Sequence, residues 1–129
     1  DLFRYNINVT DFSSTFSECT SLQTTPDELF KYNTNAVIFY DTFSGCIKLQ
    51  INPYTFYMSG ETGTRFLNKN VDFTNCFTRT SFTGTQGTAP DLWNCDFGTG
   101  TAIKLYCFGN SGNNTTSISN YNDIPIAWK

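Results

Sequence analysis

Side chains that can perform acid–base or nucleophilic chemistry are few in this sequence, and they are not grouped as an active site requires. The chain contains no histidine, so the commonest general base and the Ser-His-Asp and Cys-His arrangements are missing. The remaining candidates are two carboxylate pairs, Asp91 with Asp96 and Asp27 with Glu28. A glycosidase needs two carboxylates at a defined separation across a cleft, which spacing along a chain does not establish. We therefore interpret these acids as surface residues, with Asp27 at a helix start, and expect no enzyme activity.

The five cysteines are the other reactive groups, and their spacing favours disulfides over a metal site. No two of them form a Cys-x-x-Cys pair, and without histidine the usual zinc patterns are absent, so we expect no metal and no cofactor. Disulfides in an oxidising compartment fit the sequence, with buried reduced thiols as the alternative. One cysteine is left over, either buried or joined to another chain. The predicted bridges are Cys19 with Cys46, and Cys107 with Cys76 or Cys95.

Three Asn-x-Ser/Thr triplets support the same compartment, because each lies in a stretch that predicts an exposed asparagine. Asn113 and Asn114 follow the stretch Gly-Asn-Ser-Gly, which is typical of a surface loop. Asn8 lies in a stretch that alternates apolar and polar residues, on the same side as Arg4. We predict N-glycosylation at Asn8 and at one of the two overlapping acceptors. The expected location is extracellular, either secreted or on a cell or virion surface.

Composition indicates one domain with an aromatic interior and no attraction to polyanions. With 129 residues the chain fits a single extracellular domain, 1–129, and its 13 phenylalanines supply core material. The net charge is −3 and the basic residues are scattered, so nucleic-acid binding is not expected. The longest apolar run, residues 36–40, is far too short for membrane insertion. The chain begins at Asp1 rather than methionine, which is typical of a mature or excised product.

Local patterns predict many short strands and one helix. Thr25, Pro26 and Glu28 match the signals of a helix start, so a short α-helix is predicted near residues 26–32. Two β-rich runs within residues 36–51 flank a glycine-containing turn and predict a hairpin. Three Thr-Gly-Thr triplets recur at unequal spacing, and we interpret them as hairpin corners rather than as a repeat. The predicted fold class is all-β, mainly an antiparallel sandwich or barrel-like domain, stabilised by disulfides.

Two functions fit such a domain better than a secreted hydrolase does. The first is a non-enzymatic structural glycoprotein that assembles with copies of itself into an extracellular polymer or fibre. Its contact would be an amphipathic N-terminal strand, added to the sheet of a neighbour, with pairing inside its own domain as the alternative. The apolar residues of that strand are Phe3, Tyr5, Ile7 and Val9.

The second function is a receptor- or glycan-binding ectodomain of a viral or cell-surface attachment glycoprotein, acting in adhesion. Its partner would be another extracellular protein or a glycan, bound by flat aromatic side chains. Core packing is the alternative role for each of these residues. The candidates are Trp93, Trp128, Tyr32, Tyr54, Tyr57 and Tyr121.

Overall fold

Regular secondary structure is sparse in the computed structural model, which describes residues 2–56, 63–78, 86–109 and 117–129. Strand β1 (Val71–Asp72) pairs in parallel with strand β2 (Ala102–Ile103), in the register Val71↔Ala102 and Asp72↔Ile103. Three 3-10 helices lie at Leu92–Asn94, Tyr121–Asp123 and Ile126–Trp128. The backbone of the described residues is therefore organised mainly by turns and by hydrogen bonds between distant segments.

Isolated parallel bridges extend the β1–β2 pairing into a stack of parallel passes of the chain. Asp11 bridges Ile38, which in turn bridges Asp72 of β1, and a second line of contact joins Ile51 to Gly87. Each pass is termed a rung, and the described residues of the four rungs are 2–27 (rung 1), 28–53 (rung 2), 54–56, 63–78 and 86–88 (rung 3), and 89–109 and 117–123 (rung 4). A terminal segment, 124–129, follows. Side-chain hydrogen bonds between rungs join residues 25 to 35 positions apart, so the repeat has no fixed period.

Each rung bends through tight turns that begin at an inward-facing position. In the first of these turns the N–H of Thr15 donates to the carbonyl of Phe12 (3.3 Å). Its third residue, Ser14, has a φ of 53°, and type II turns require a positive φ at that position. Consecutive turns of this kind bring residues four positions apart to the same interior. The equivalent positive-φ residues of the other turns are Glu18, Asp41, Gly45, Asn75 and Tyr106.

Phenylalanine rings fill the interior in columns that run across the rungs. Phe43 stacks 5.2 Å from Phe16 and from Phe77, with ring planes within 7° of parallel. Parallel rungs place equivalent residues above one another at roughly 4.8 Å, a spacing that suits stacked rings. The prediction that phenylalanine supplies the core is confirmed. Every phenylalanine in the described residues belongs to one of four columns: Phe3–Phe30–Phe56, Phe12–Phe39–Phe73, Phe16–Phe43–Phe77–Phe108 and Phe66–Phe97.

The predicted antiparallel sandwich or barrel-like fold is wrong. The described residues form one parallel pair of two-residue strands, and the isolated bridges around it are parallel as well. Within the predicted hairpin, residues 39–46 instead make two consecutive turns of rung 2. The N–H of Asp41 donates to the carbonyl of Thr74 in rung 3 (3.0 Å) rather than to a partner strand nearby in sequence. Phe39, Phe43 and Cys46 face the interior at the ends of these turns, whereas Tyr40 is exposed.

The α-helix predicted near residues 26–32 is also wrong. Glu28 has a φ of 57°, which a right-handed helix does not accommodate. Its N–H donates to the carbonyl of Tyr54 in rung 3 (2.9 Å), and the N–H of Phe30 donates to the carbonyl of Thr55 (3.3 Å). Pairing with the next rung therefore satisfies the backbone groups that a helix would have used.

The predicted disulfides are contradicted, because all five cysteines are free thiols. Cys19 is exposed, Cys95 is half-buried, and the other three are buried. Cys46 is buried, and its thiol donates to the carbonyl of Phe16 (2.9 Å). Cys76 and Cys107 occupy the equivalent inward position of neighbouring rungs, where a small apolar side chain fits beside the phenylalanine columns. Burial raises the pKa of the Cys76 and Cys107 thiols, so both stay protonated and unreactive near neutral pH.

Thiol alkylation is expected to separate the cysteines by their burial. Iodoacetamide should modify Cys19 rapidly in the folded protein, whereas Cys46, Cys76 and Cys107 should react only after unfolding. Peptide mass mapping after timed labelling measures the order of reaction. In guanidinium without any reductant, all five thiols should be alkylated. A chain that accepts fewer than five labels under those conditions contains a disulfide, and the free-thiol assignment would then fail.

Candidate assembly site

The backbone ladder beside the phenylalanine columns has a direction. Along residues 12–18 and their equivalents, the N–H groups of each rung donate to carbonyls of the following rung, over 2.7 to 3.0 Å. The acceptors in rung 2 are Ile38, Tyr40, Thr42 and Ser44, and those in rung 3 are Asp72, Thr74, Cys76 and Thr78. Rung 4 supplies the acceptors Ile103, Leu105 and Cys107.

Rung 1 therefore presents a row of backbone carbonyls that point away from the stack. These carbonyls, termed the carbonyl row, occupy the positions that accept hydrogen bonds in rungs 2 and 3, and the first three of these positions also accept in rung 4. In the described residues no backbone N–H donates to any of them. An open row of this kind is a template on which another chain can pair. The row consists of Asp11, Ser13, Thr15 and Ser17.

The same end of the stack leaves apolar side chains partly uncovered. Phe16 and Leu22 in rung 1 are half-buried, whereas their equivalents in rung 2, Phe43 and Leu49, are buried. Phe3 and Val9 differ in the same way from Phe30 and Ala36. Each rung covers one side of the rung before it, and in the described residues nothing covers the outer side of rung 1. This apolar surface and the carbonyl row together form the open end.

The ladder segment of rung 1 carries negative charge. The carboxylate of Asp11 accepts a hydrogen bond from the N–H of Ser13 (2.7 Å), and bonds from Ser13 lower the pKa of Asp11. The exposed Glu18 lies across Gly45 of rung 2, whose missing side chain leaves room for the carboxylate. The lowered pKa keeps Asp11 ionised at neutral pH, so the open end favours a partner that brings N–H donors and positive charge.

The opposite end of the stack is covered by the terminal segment. The N–H of Phe108 donates to the carbonyl of Trp128 (2.9 Å), and the indole of Trp128 lies 6.4 Å from the Phe108 ring and 5.9 Å from that of Phe73. Trp128 is buried, and Phe108 is as well, although it lies in the last rung. The two ends therefore differ: the rung 4 end has an aromatic cap over its core, and the rung 1 end has none among the described residues.

The predicted N-terminal contact segment does not form a strand. Residues 2–8 run through turns, and the carbonyls of Phe3 and Asn6 accept hydrogen bonds from the side chain of Asn33 (3.1 and 2.9 Å). Phe3 packs on the core and Val9 lies against it, while Tyr5 and Ile7 are exposed, by 89 % and 53 %. The segment thus contributes two of its four predicted contact residues to the open end and leaves the other two in solvent.

The remaining predicted sites are dispersed. Asn8 is exposed, as a glycan acceptor must be, and Asn113 and Asn114 lie outside the described residues. Asp91 and Asp96 are exposed, with Asp96 accepting a hydrogen bond from the N–H of Gly98 (2.8 Å). In the described part of the chain, no group of three or more Cys, Asp and Glu residues is placed to hold a metal ion.

A shallow groove of about 340 Å³ lies where rungs 1 and 2 meet the start of rung 3. Its lining contains a single carboxylate, that of Asp27, which accepts a hydrogen bond from the side chain of Asn52 (2.6 Å). Tyr54, half exposed, borders the groove. One carboxylate engaged with an amide does not supply the acid and base of a hydrolase.

Three of the six aromatic residues considered for ligand recognition, Trp93, Trp128 and Tyr121, pack in or against the core. Trp128 is buried, and Trp93 packs edge-on against Phe108 at 6.1 Å. Tyr57 lies outside the described residues, and Tyr54 borders the groove.

Sequence reasoning missed the open end because it made no structural prediction for residues 11–18. The detectable signal was a recurring pattern of two phenylalanines four positions apart, with threonine or cysteine directly before the second. It occurs as Phe-Ser-Ser-Thr-Phe at 12–16, Phe-Tyr-Asp-Thr-Phe at 39–43 and Phe-Thr-Asn-Cys-Phe at 73–77.

No helix among the described residues has the length and apolar character needed to cross a bilayer. In comparisons with known proteins, no family model, no curated protein and no solved structure matches this chain.

Proposed function

We propose that this protein is a non-enzymatic structural protein that assembles with copies of itself through the open end of rung 1. The observation that carries the proposal is the coincidence, at one end of the stack, of the carbonyl row with the half-buried side chains of Phe3, Val9, Phe16 and Leu22. A ladder edge and an apolar surface at the same place favour addition of another ordered backbone over binding of a small molecule.

The energetics of stacked repeats support this role. In such architectures each repeat is stabilised by its neighbours, and an uncovered terminal repeat loses part of that stabilisation. Covering the half-buried residues of rung 1 removes apolar area from water, at roughly 25 cal/mol per Å². Hydrogen bonds to the carbonyl row add register and specificity to that gain.

An extracellular location with a glycan at Asn8 remains part of the proposal. Its support is the exposure of the Asn8 side chain within its Asn-Val-Thr triplet. The five free thiols give no support to an oxidising compartment. Intact mass before and after enzymatic removal of N-glycans tests this part, and native material with an unmodified Asn8 would remove it.

Replacing Leu22 by lysine tests the assembly surface. Leu22→Lys is expected to weaken self-association by at least about tenfold, because a second copy would have to desolvate an ammonium group at the open end. The isolated fold should persist, since a long amine at a half-buried position can reach water. Analytical ultracentrifugation over a concentration series measures the association, and thermal unfolding checks the fold.

Leu67→Lys is the matched control, because Leu67 in rung 3 is already 41 % exposed and lies on neither end of the stack. It should leave self-association unchanged. Equal weakening by the two substitutions would move the contact away from the open end, and a wild-type chain that stays monomeric at high concentration would contradict the proposed function.

Recognition of a receptor or glycan is the second function considered, and it has less support. It requires an exposed aromatic patch, whereas Trp128 is buried and Trp93 packs against Phe108. A monomeric chain that binds in a glycan or receptor screen would favour this function over assembly.

A further inference from the structure

We infer that the partner of the open end is the rung 4 end of a second copy, so that the protein assembles head to tail. The inference rests on the proposed function and adds the identity and polarity of the contact. It follows from the direction of the backbone ladder, from the groups left at rung 4, and from the charges beside them.

The direction of the ladder excludes pairing between two carbonyl rows. Along residues 12–18 and their equivalents each rung donates N–H groups to the following rung, so this segment is left with acceptors in the first rung and with donors in the last. Two rung 1 ends brought together along this segment would face carbonyl against carbonyl, with no hydrogen bond between them. An isologous dimer through the carbonyl row is therefore disfavoured, and a heterologous contact that repeats from copy to copy is favoured.

Rung 4 presents the complementary donors. The N–H groups of Lys104 and Tyr106 correspond to those of Phe73 and Asn75, which donate to rung 4, and in the described residues neither has a backbone acceptor. Continuing the register places the N–H of Lys104 against the carbonyl of Asp11 in the next copy. It likewise places the N–H of Tyr106 against the carbonyl of Ser13.

The charges beside these groups match as well. Lys104 lies in the ladder segment of rung 4, with its ammonium 5.7 Å from the centre of the Trp128 ring at the capped end. Asp11 and Glu18 lie in the ladder segment of rung 1. Opposite charges at the two ends favour head-to-tail contact, and like charges disfavour contact between two rung 1 ends.

The terminal segment limits how far this pairing extends. Its Trp128 carbonyl already accepts the N–H of Phe108, the donor that would otherwise meet Thr15 of the next copy. Within the described residues, the N–H groups of Lys104 and Tyr106 lack a backbone acceptor without any movement of the segment. The contact therefore begins at Lys104 and Tyr106 of rung 4. It extends to the carbonyls of Thr15 and Ser17 in the next copy only if the terminal segment moves away from Phe108.

Engineered cysteines at two equivalent positions test the polarity. Ser13 in rung 1 corresponds to Tyr40, Thr74 and Leu105, and both Ser13 and Leu105 are exposed. In a head-to-tail assembly, Ser13 of one copy would lie next to Leu105 of another, at a strand spacing that permits a disulfide. Within one chain the two positions are three rungs apart, which is too far for a bridge.

The full chain carrying Cys19→Ser, Ser13→Cys and Leu105→Cys is expected to give a ladder of covalent oligomers on mild oxidation at concentrations where the protein assembles. Non-reducing electrophoresis measures the ladder. Neither Ser13→Cys nor Leu105→Cys alone should give one, and a 1:1 mixture of those two single variants should give only a dimer. The mismatched control carries Cys19→Ser, Ser13→Cys and Leu67→Cys, and it should also give no covalent oligomers.

The outcomes separate the inference from the proposed function. Dimers formed efficiently by Ser13→Cys alone would join two rung 1 ends and would overturn head-to-tail assembly. A second result would also overturn the inference: the protein self-associates and Leu22→Lys disrupts this, but the Ser13→Cys, Leu105→Cys variant gives no covalent oligomers. The proposed function would then stand. A wild-type chain that stays monomeric throughout, with no cross-linking by the pair, would end both.

Discussion

Replacing Phe39 by alanine is expected to lower the free energy of unfolding by about 3–5 kcal/mol. Phe39 is fully buried, with stacked rings on both sides, Phe12 at 6.2 Å and Phe73 at 5.7 Å. Phe56 lies edge-on to it at 4.9 Å. The alanine variant loses these ring contacts and leaves a cavity that neighbours in three rungs cannot all fill. Guanidinium unfolding, followed by tryptophan fluorescence, measures the loss.

The adjacent residue provides the control for this substitution. Tyr40 is 42 % exposed on the outer side of the same turn, so Tyr40→Ala should change the free energy of unfolding by only about 0.5 kcal/mol. Phe39→Leu should fall between the two, because it keeps apolar volume and loses the stacking. Losses of equal size for Phe39→Ala and Tyr40→Ala would show that the column does not form the core.

The phenylalanine columns show which part of the core could be predicted from the sequence. Abundant phenylalanine correctly predicted an aromatic core, since buried aromatic area is needed to hold a chain of this size together. The arrangement of the rings was not predicted, because the search for repeats required a fixed period. The rungs differ in length, which hides the period, although the spacing between Phe12 and Phe16 recurs between Phe39 and Phe43.

Local signals failed where backbone conformation is set by contacts between rungs. Glu28 and Tyr106 adopt positive φ, at 57° and 54°, although neither residue type favours it. Such a conformation persists only when surrounding structure fixes it: the N–H of Glu28 donates to Tyr54, and the carbonyl of Tyr106 accepts from the hydroxyl of Thr78. A capping box or an alternating pattern reports local preference alone, so it predicted a helix and a hairpin where the chain makes turns.

The recurring phenylalanine pattern could have revealed the rungs, but it does not show which rung is left uncovered. Whether the carbonyl of Ser13 has a donor depends on which rung is first in the stack, and parallel pairing between distant segments leaves no hairpin signal in the sequence. Leu22 illustrates the same point. It resembles Leu49 in the sequence, yet one is half-buried and the other buried, because only Leu49 has a rung on both sides.

Replacing Gly87 by alanine is expected to destabilise the fold by roughly 3 kcal/mol or more. Gly87 has a φ of 74°, and an added methyl group would overlap the backbone nitrogen and carbonyl oxygen of Ile51 in rung 2. The same two backbone groups of Ile51 form hydrogen bonds with rung 3. Its N–H donates to the carbonyl of Gln86 (2.8 Å), and its carbonyl accepts from the N–H of Thr88 (2.9 Å). Because backbone rather than a flexible side chain lies in the way, rungs 2 and 3 must separate to admit the methyl group, at the cost of those hydrogen bonds.

Gly63→Ala separates this contact from the strain of the backbone angle. Gly63 has nearly the same φ, 72°, and the nearest atom to an added methyl group is the carbonyl oxygen of Asn94 at 3.3 Å. It should therefore lose only the roughly 1 kcal/mol that a positive φ costs a residue other than glycine. The difference between the two variants in guanidinium unfolding isolates the close approach of rungs 2 and 3. Equal losses would mean that Ile51 and Gly87 are not in contact, and the parallel stack would then lose its second line of pairing.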